Sequence, residues 1–529
     1  MNDGTRRCGQ LAVILAVLVV GGRAAAMTYR PLSDENLVAA SGLVVIGRVE
    51  QVRSARLPGG RIVTQADLVV DTTLKGPAHR RIRVTEAGGR VGDVTVRIPG
   101  MPRFVAGERM LVFLRERPDG TLGTTALSLA AYTVTGATPA LARRTAPAFD
   151  ERRLDAFERR IRALAAGAAA ASVSDGFGGA AAVEVDVRTD GFTLLGNAGD
   201  CDPAVFAGCI GGRWHEARCG EAIVYDTSNA DETLRAVVQA GLDAWSSVPG
   251  AQLALVLGDD VPAVPSALGV VSSADFENFD GRNVVQFDDP FEIVPDLVEC
   301  QGVLALGGTV STPEGRIVEN ETSYDRTLEG DVVVNQGAGA CLGEGGLAET
   351  VAHEIGHTLG FGHTSENPAE PVAALREALM YFLIHDDGRG AALGAEDIAG
   401  MQFVYAPPAS EPTPAGSALR DAACLVGINL WSSACFLDQE RLGGFPRVLL
   451  KKSARAAKAA RKAYAARKPK KQMRLLGKAD RQLGKAETKL LAFTADGTLR
   501  PECGSGLQAQ LDRERARIGD AILLVAGGS

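Results

Sequence analysis

Short runs rich in Val, Ile, Leu and Thr dominate the first part of the chain after its N-terminus. They are Leu43–Val52, Val63–Leu74, Arg81–Gly89, Val94–Ile98 and Arg109–Leu114, separated by Gly- and Pro-containing turns. Such runs between turn clusters predict strands, and five of them predict a small all-β unit, a barrel of OB-like form. The stretch Phe149–Gly167 places apolar residues at helical spacing among charges and predicts an amphipathic helix. Residues 168–182, almost all Ala, Gly and Ser, predict a linker. A second pattern follows: strands at Ala222–Asp226, Leu253–Leu257, Asn283–Phe287, Gly302–Val310 and Asp331–Asn335, with a helix over Ser228–Trp245 and another over Gly346–Gly360. Strand, helix, four strands, helix is a mixed α/β unit. Ser228 or Asn229 is the expected cap of its first helix. Beyond the Pro-rich stretch Pro407–Gly416 the pattern turns helical, with segments Leu449–Lys468, onward to about Thr488, and Leu507–Val525, which predict a helical hairpin tied down by Cys503.

Length and composition add boundaries. At 529 residues the chain exceeds one core, and about three domains are expected. The division is 1–26 export signal, 27–140 β-unit, 141–190 helix and linker, 191–406 α/β unit, 407–416 linker, and 417–529 basic helical region. The signal rests on Arg6 and Arg7, the apolar run Leu11–Val20 and the small residues Ala24–Ala26, so a secreted or periplasmic protein with no transmembrane segment is expected. Removal of that segment takes Cys8 and leaves eight cysteines, an even number suited to disulfides in an oxidising compartment. Five precede the histidine-rich stretch described below and three follow it. Complete pairing therefore requires at least one bridge between the two groups. The net charge is −8, yet Lys451–Lys489 holds fifteen Lys/Arg against two acids. A solvated helical face explains that run best; weak contact with anionic polymers is the functional reading, and no specific nucleic-acid binding is expected.

Candidate chemistry concentrates at His353–His363, HEIGHTLGFGH, which holds three of the six histidines in the chain. On a helix His353 and His357 lie one turn apart on one face and can share one ion. Zinc accepts imidazole nitrogen readily, and a catalytic site needs a third ligand, which His363 supplies if the chain turns sharply at Gly360. Glu354, beside the first ligand, is the candidate general base for activating water. The three-histidine spacing with its glycine is expected by chance on the order of 10⁻⁴ times in a chain of this composition. His79, His215 and His385 have no partner at ligand spacing and read as surface or core histidines.

The run H-E-x-x-H-x-x-G-x-x-H resembles the zinc signature of the metzincin metallopeptidases. Met380, seventeen residues beyond His363 in ALMY, resembles that family's methionine turn, and Tyr381 directly after it resembles the matrixin branch. The next residue, Phe382, stands where astacin-like and serralysin-like members carry a zinc-binding Tyr and where matrixins usually have Pro. Residues Leu393–Tyr405 resemble the family's closing helix. Val303, Leu304, Ala305 and Leu306 resemble the edge strand along which matrixins lay their substrate. The resemblance extends from about Arg213 to Tyr405. It implies a zincin fold, zinc held by His353, His357 and His363, Glu354 as general base, and a protein or peptide substrate. Calcium, common in the family, has FDDP (Phe287–Pro290) and HDDG (His385–Gly388) as the places that could contribute ligands, although acidic turns usually face water. ARCGE (Ala217–Glu221) and PECGSG (Pro501–Gly506) are superficially similar to the pro-segment cysteine that blocks zinc in many matrixins, but paired cysteines explain them more simply. If the enzyme is latent, the β-unit could cover the cleft. The competing functional class is a non-enzymatic envelope-binding protein built on a peptidase-like scaffold, which would have no need of Glu354.

Overall fold

The computed structural model describes residues 28–527 except 31, 58–61, 93, 99, 137–139, 145–150, 168–190, 197–198, 202–208, 264–280, 321, 368, 386, 429, 436–437 and 439–440. The expected export signal (1–26) and the Ala/Gly-rich linker lie outside the described residues. The chain is mixed α/β, with several sheets and a set of C-terminal helices.

Its centre is a sheet in which Leu255–Val261, Ile223–Ser228, Asn283–Gln286 and Thr322–Val334 run parallel, in that spatial order. Gly302–Glu319 then pairs antiparallel with Thr322–Val334. Parallel neighbours need crossovers, and the helix Glu232–Ser246 provides one. Its cap is Asp231, whose side chain accepts from the amide of Leu234, rather than the expected Ser228 or Asn229. Asn229 instead adopts a left-handed conformation in the turn before the helix. The helix Ala338–Thr358 packs on the same sheet. It is two helices joined at Gly343, whose φ is 66°, so the histidine-bearing part is a separate rigid rod. Contact with the sheet is close because Gly307 has no side chain: a Cβ there would lie 2.3 Å from the Glu354 carbonyl oxygen.

The N-terminal unit pairs Leu43–Arg56, Ile62–Lys75, Arg81–Ala87, Leu122–Thr124 and Arg109–Glu116 in that order, and the last strand pairs back to the first. Two expectations about its limits need correction. Val94–Arg97 leaves the ring and pairs antiparallel with Thr309–Ser311 of the central sheet. Thr28–Arg30, at the start of the same unit, also joins that sheet, against Gly302–Ala305. Val303–Leu306 is therefore not a free edge. Backbone donors left open on a sheet edge are satisfied by whichever strand reaches them, and here the N-terminal unit supplies two. The helix expected over Phe149–Gly167 is shorter, Leu154–Ala165, burying Leu154, Phe157 and Ile161.

Among the described residues the C-terminal region holds four long helices rather than a hairpin: Pro414–Leu425, Arg447–Tyr464, Pro469–Ala495 and Pro501–Gly527 each touch two of the others. Ala456, Ala460, Ala463, Leu476, Leu483 and Leu490 are buried, while the Lys and Arg residues of Lys451–Lys489 are exposed, except for the partly buried Lys452. The stretch Pro407–Gly416, expected as a linker, is partly helix. Thr413 caps Pro414–Leu425 by accepting from Gly416 N at 3.0 Å, and Glu411 accepts from the Tyr464 hydroxyl. Disulfides join Cys219–Cys424, Cys300–Cys341 and Cys435–Cys503, and Cys209 is disulfide-bonded as well. The first is the bridge between groups that cysteine parity required. With Cys219 and Cys503 so engaged, ARCGE and PECGSG offer no free thiol. No helix among the described residues is long and apolar enough to cross a membrane.

Candidate metal centre

The end of the histidine helix is built from satisfied carbonyls. The last turn of any helix leaves C=O groups without intrahelical partners. Here the Trp214 indole donates to Thr358 O (3.0 Å), Tyr405 Oη to Leu359 O (2.9 Å) and the Leu195 amide to Gly360 O (2.8 Å). Trp245 donates to Ala352 O at 2.8 Å and stacks on Phe361, centroids 5.4 Å apart. Gly360 then reverses the chain with φ 98°, and a Cβ there would sit 2.2 Å from Gly212 O. Only glycine meets both conditions.

That turn brings His363 back to His353 and His357. The three imidazoles are buried, and His353 Nε2 lies 2.9 Å from His357 Nε2 and 3.1 Å from His363 Nε2. Their Nδ1 atoms face acceptors: Leu379 O at 2.7 Å, Phe361 O at 2.8 Å and Glu366 Oε1 at 3.1 Å. A carbonyl can only accept, so Nδ1 of His353 and His357 carries the proton and Nε2 carries a lone pair. Burial pushes His353 down to about 4 and His357 well below the ordinary histidine value, which keeps both rings neutral. Converging lone pairs repel unless a cation lies among them. Tetrahedral ligands about 2.0–2.1 Å from zinc stand roughly 3.3 Å apart, close to the separations seen. The donor set thus fits zinc, with the orienting acceptors expected around metal-bound histidines. Among the described residues, His353, His357 and His363 form the one group of His, Cys, Asp and Glu able to hold a metal ion.

Met380 is fully buried against Gly356, where a Cβ would meet its Sδ at 2.3 Å. The turn carrying Met380 is fixed by a residue the sequence did not single out. Asp397 accepts from the amides of Leu379 (2.6 Å), Met380 (3.1 Å) and Gly394 (2.7 Å). Burial nevertheless pushes its carboxyl up to about 6. Since Leu379 O orients His353, Asp397 acts on the cluster through one intermediary. His385, read as a surface or core histidine outside the metal cluster, joins Glu349 on the histidine helix at 2.5 Å and Arg376 O at 2.7 Å. His215 is buried with its Nε2 unpartnered, and burial holds it down at about 4. Tyr381 donates its hydroxyl to Asn367 O at 2.7 Å and does not reach the cluster.

Glu354 is fully buried beside the histidines. Its Oε1 accepts from the backbone amide (2.8 Å) and the hydroxyl (2.6 Å) of Thr28, while Oε2 has no partner. Burial pushes this carboxyl up to about 8. Among the described residues, neither acidic turn belongs to a group able to hold a metal ion. Asp289 is buried and accepts from the Val294 amide at 2.6 Å, and Asp387 pairs with Arg389 at 2.7 Å. Asp386 lies outside the described residues. No family model, curated protein or solved structure matches this chain.

Proposed function

We propose that the chain is an exported zinc-dependent endopeptidase of the metzincin class, matrixin-like in its central unit, with the N-terminal strand ring as an OB-like barrel. One observation carries this reading: three buried imidazoles converge, the Nε2 atoms of His357 and His363 lying 2.9 and 3.1 Å from that of His353, next to a buried carboxylate with one oxygen unpartnered. Zinc held by His353, His357 and His363 supplies Lewis acidity toward water and toward a carbonyl oxygen. Within the chain, Glu354 takes a proton from the attacking water at Oε2 and returns it to the amide nitrogen as the C–N bond breaks. Water is thereby divided between the new carboxylate and the new amine. The backbone of Val303–Leu306 holds an extended peptide by strand pairing, and Phe382, against His363, forms the opposite wall. A purely binding scaffold would have no use for a carboxylate buried at that position.

Glu354→Gln leaves all three ligands in place. The variant is expected to hold as much zinc as the native protein and to hydrolyse a denatured protein at least ~10²-fold more slowly. Undiminished hydrolysis in a folded, zinc-loaded variant would remove Glu354 from this role.

A further inference from the structure

The groove beside Glu354 already contains a strand of this chain. Thr28, Tyr29 and Arg30 pair antiparallel with Ala305, Val303 and Gly302. On the opposite side Tyr29 forms a parallel bridge with Leu383, and its ring lies 5.6 Å from that of Phe382. Thr28 and Tyr29 are buried at 2% and 4% exposure. The Thr28 amide, 326 residues from Glu354 in sequence, donates to the same carboxylate oxygen as its own hydroxyl. Strand pairing on one side, a wall on the other and a backbone N–H on the candidate base are together what an extended peptide would need there.

The segment is also anchored from behind. Ser33 donates its amide to Gln301 Oε1 at 2.9 Å, and Asn36 reaches the same oxygen. Asp34 is held at 2.6 Å by Arg160 of the helix Leu154–Ala165 and at 2.6 Å by Arg152 just before it, which fixes the helix Asp34–Ala40 behind the strand. Further along the same edge Val94–Arg97 covers Thr309–Ser311. Main-chain pairing of the barrel unit thus takes the edge strand on both sides of Gly307.

We propose that Thr28–Arg30 is a built-in pseudosubstrate, which fills the groove and must leave before an extended peptide can bind beside Glu354. This rests on the peptidase reading only in taking the groove as the place of the substrate. A short tether gives the attached strand an effective concentration on the order of millimolar. A free peptide making the same contacts competes against that concentration, so its apparent affinity falls by the fraction of molecules with the groove open. The occupant also indicates the chemistry accepted: an extended segment with a small hydroxylated residue at Glu354, followed by an aromatic residue against Phe382.

The probe is a fluorescent synthetic peptide with the sequence of residues 27–32, MTYRPL, titrated into the full-length zinc-loaded protein and its Tyr29→Asp variant. A charge at a site 4% exposed unseats the tethered strand. The variant is expected to bind the peptide about tenfold more tightly or better. Amide exchange in the unmodified protein gives a second measurement that does not depend on the variant folding. Thr28, Tyr29 and Arg30 are expected to be protected alone and to exchange faster when excess peptide is bound. Equal affinities in a folded variant, or protection unchanged at saturating peptide, would overturn the proposal. Neither readout needs hydrolysis, so a protein that lacked peptidase activity would still show both effects if the strand occupies the groove. A hydrolytically active protein showing neither would sink the pseudosubstrate alone.

Discussion

Asp397 shows at the level of single residues what local spacing hides. Its carboxylate satisfies three amides and holds the turn whose Leu379 carbonyl sets the ring of His353. Asp397→Ala would leave three donors, the Leu379 and Met380 amides buried among them, without their charged acceptor. A loss of about 3 kcal/mol is expected in denaturant unfolding, together with 10–100-fold weaker zinc binding. Retained affinity in a variant with reduced stability would limit Asp397 to a packing role. His385 carries a pH signature. Burial pushes it down, but the hydrogen bond and charge of Glu349 and the Arg376 carbonyl outweigh this, and the net shift is upward. A histidine raised in the folded state contributes stability fully below its unfolded pKa of about 6.5 and loses it as pH rises through the higher folded value. Native stability should therefore fall over that window by more than it does in His385→Gln, measured by urea midpoints. Parallel curves for the two proteins would show that the pair contributes nothing. The converging histidines, Glu354 beside them and the turn at Gly360 were legible because helix period and metal-ligand spacing constrain an eleven-residue run. Asp397, Glu366 and Thr28 were not, since a lone Asp, Glu or Thr carries no spacing that marks its partner.

Elements were legible where burial dictates residue type. The parallel strands and both helices of the central sheet follow from apolar runs between turns, and so do the ring strands Leu43–Arg56, Ile62–Lys75 and Arg109–Glu116. Pairing was harder to read than existence. Val94–Arg97 has the composition of a ring strand, and only the open edge at Thr309–Ser311 explains why it pairs there. Capping at Asp231 instead of Ser228 or Asn229 reflects the competition among several good caps within four residues. The turn after the histidine helix yields a test at this scale. Gly360→Ala combines a disfavoured φ of 98° with a Cβ 2.2 Å from Gly212 O. A destabilisation of about 2 kcal/mol or more is expected, along with lower zinc occupancy because His363 is displaced. Wild-type occupancy and stability would mean that the turn tolerates a side chain.

Across the whole molecule, the bridge Cys219–Cys424 and the ion pair between Arg517 and Glu221 tie the helical region to the central unit. Parity indicated such a bridge but could not choose its members, because sequence gives no distance between cysteines. The closed segment spans 205 residues and includes the zinc motif. Replacing both cysteines by Ser is expected to reduce stability by about 2–4 kcal/mol. Non-reducing digestion tests the link itself: chain cleaved near Ser410 should stay in one piece until reductant is added. Separation without reductant would rule the bridge out. The four-helix arrangement was read only as a hairpin, since Pro414–Leu425 hides its amphipathic face behind a Pro-rich start.

Zinc content per chain decides the central matter most directly. Metal analysis of the purified native protein should give one zinc, and His353→Ala, His357→Ala or His363→Ala should each lower that occupancy sharply while His215→Ala leaves it unchanged. A native protein without zinc when folded in its presence, or full occupancy in the three histidine variants, would contradict the assignment of this cluster as the metal centre.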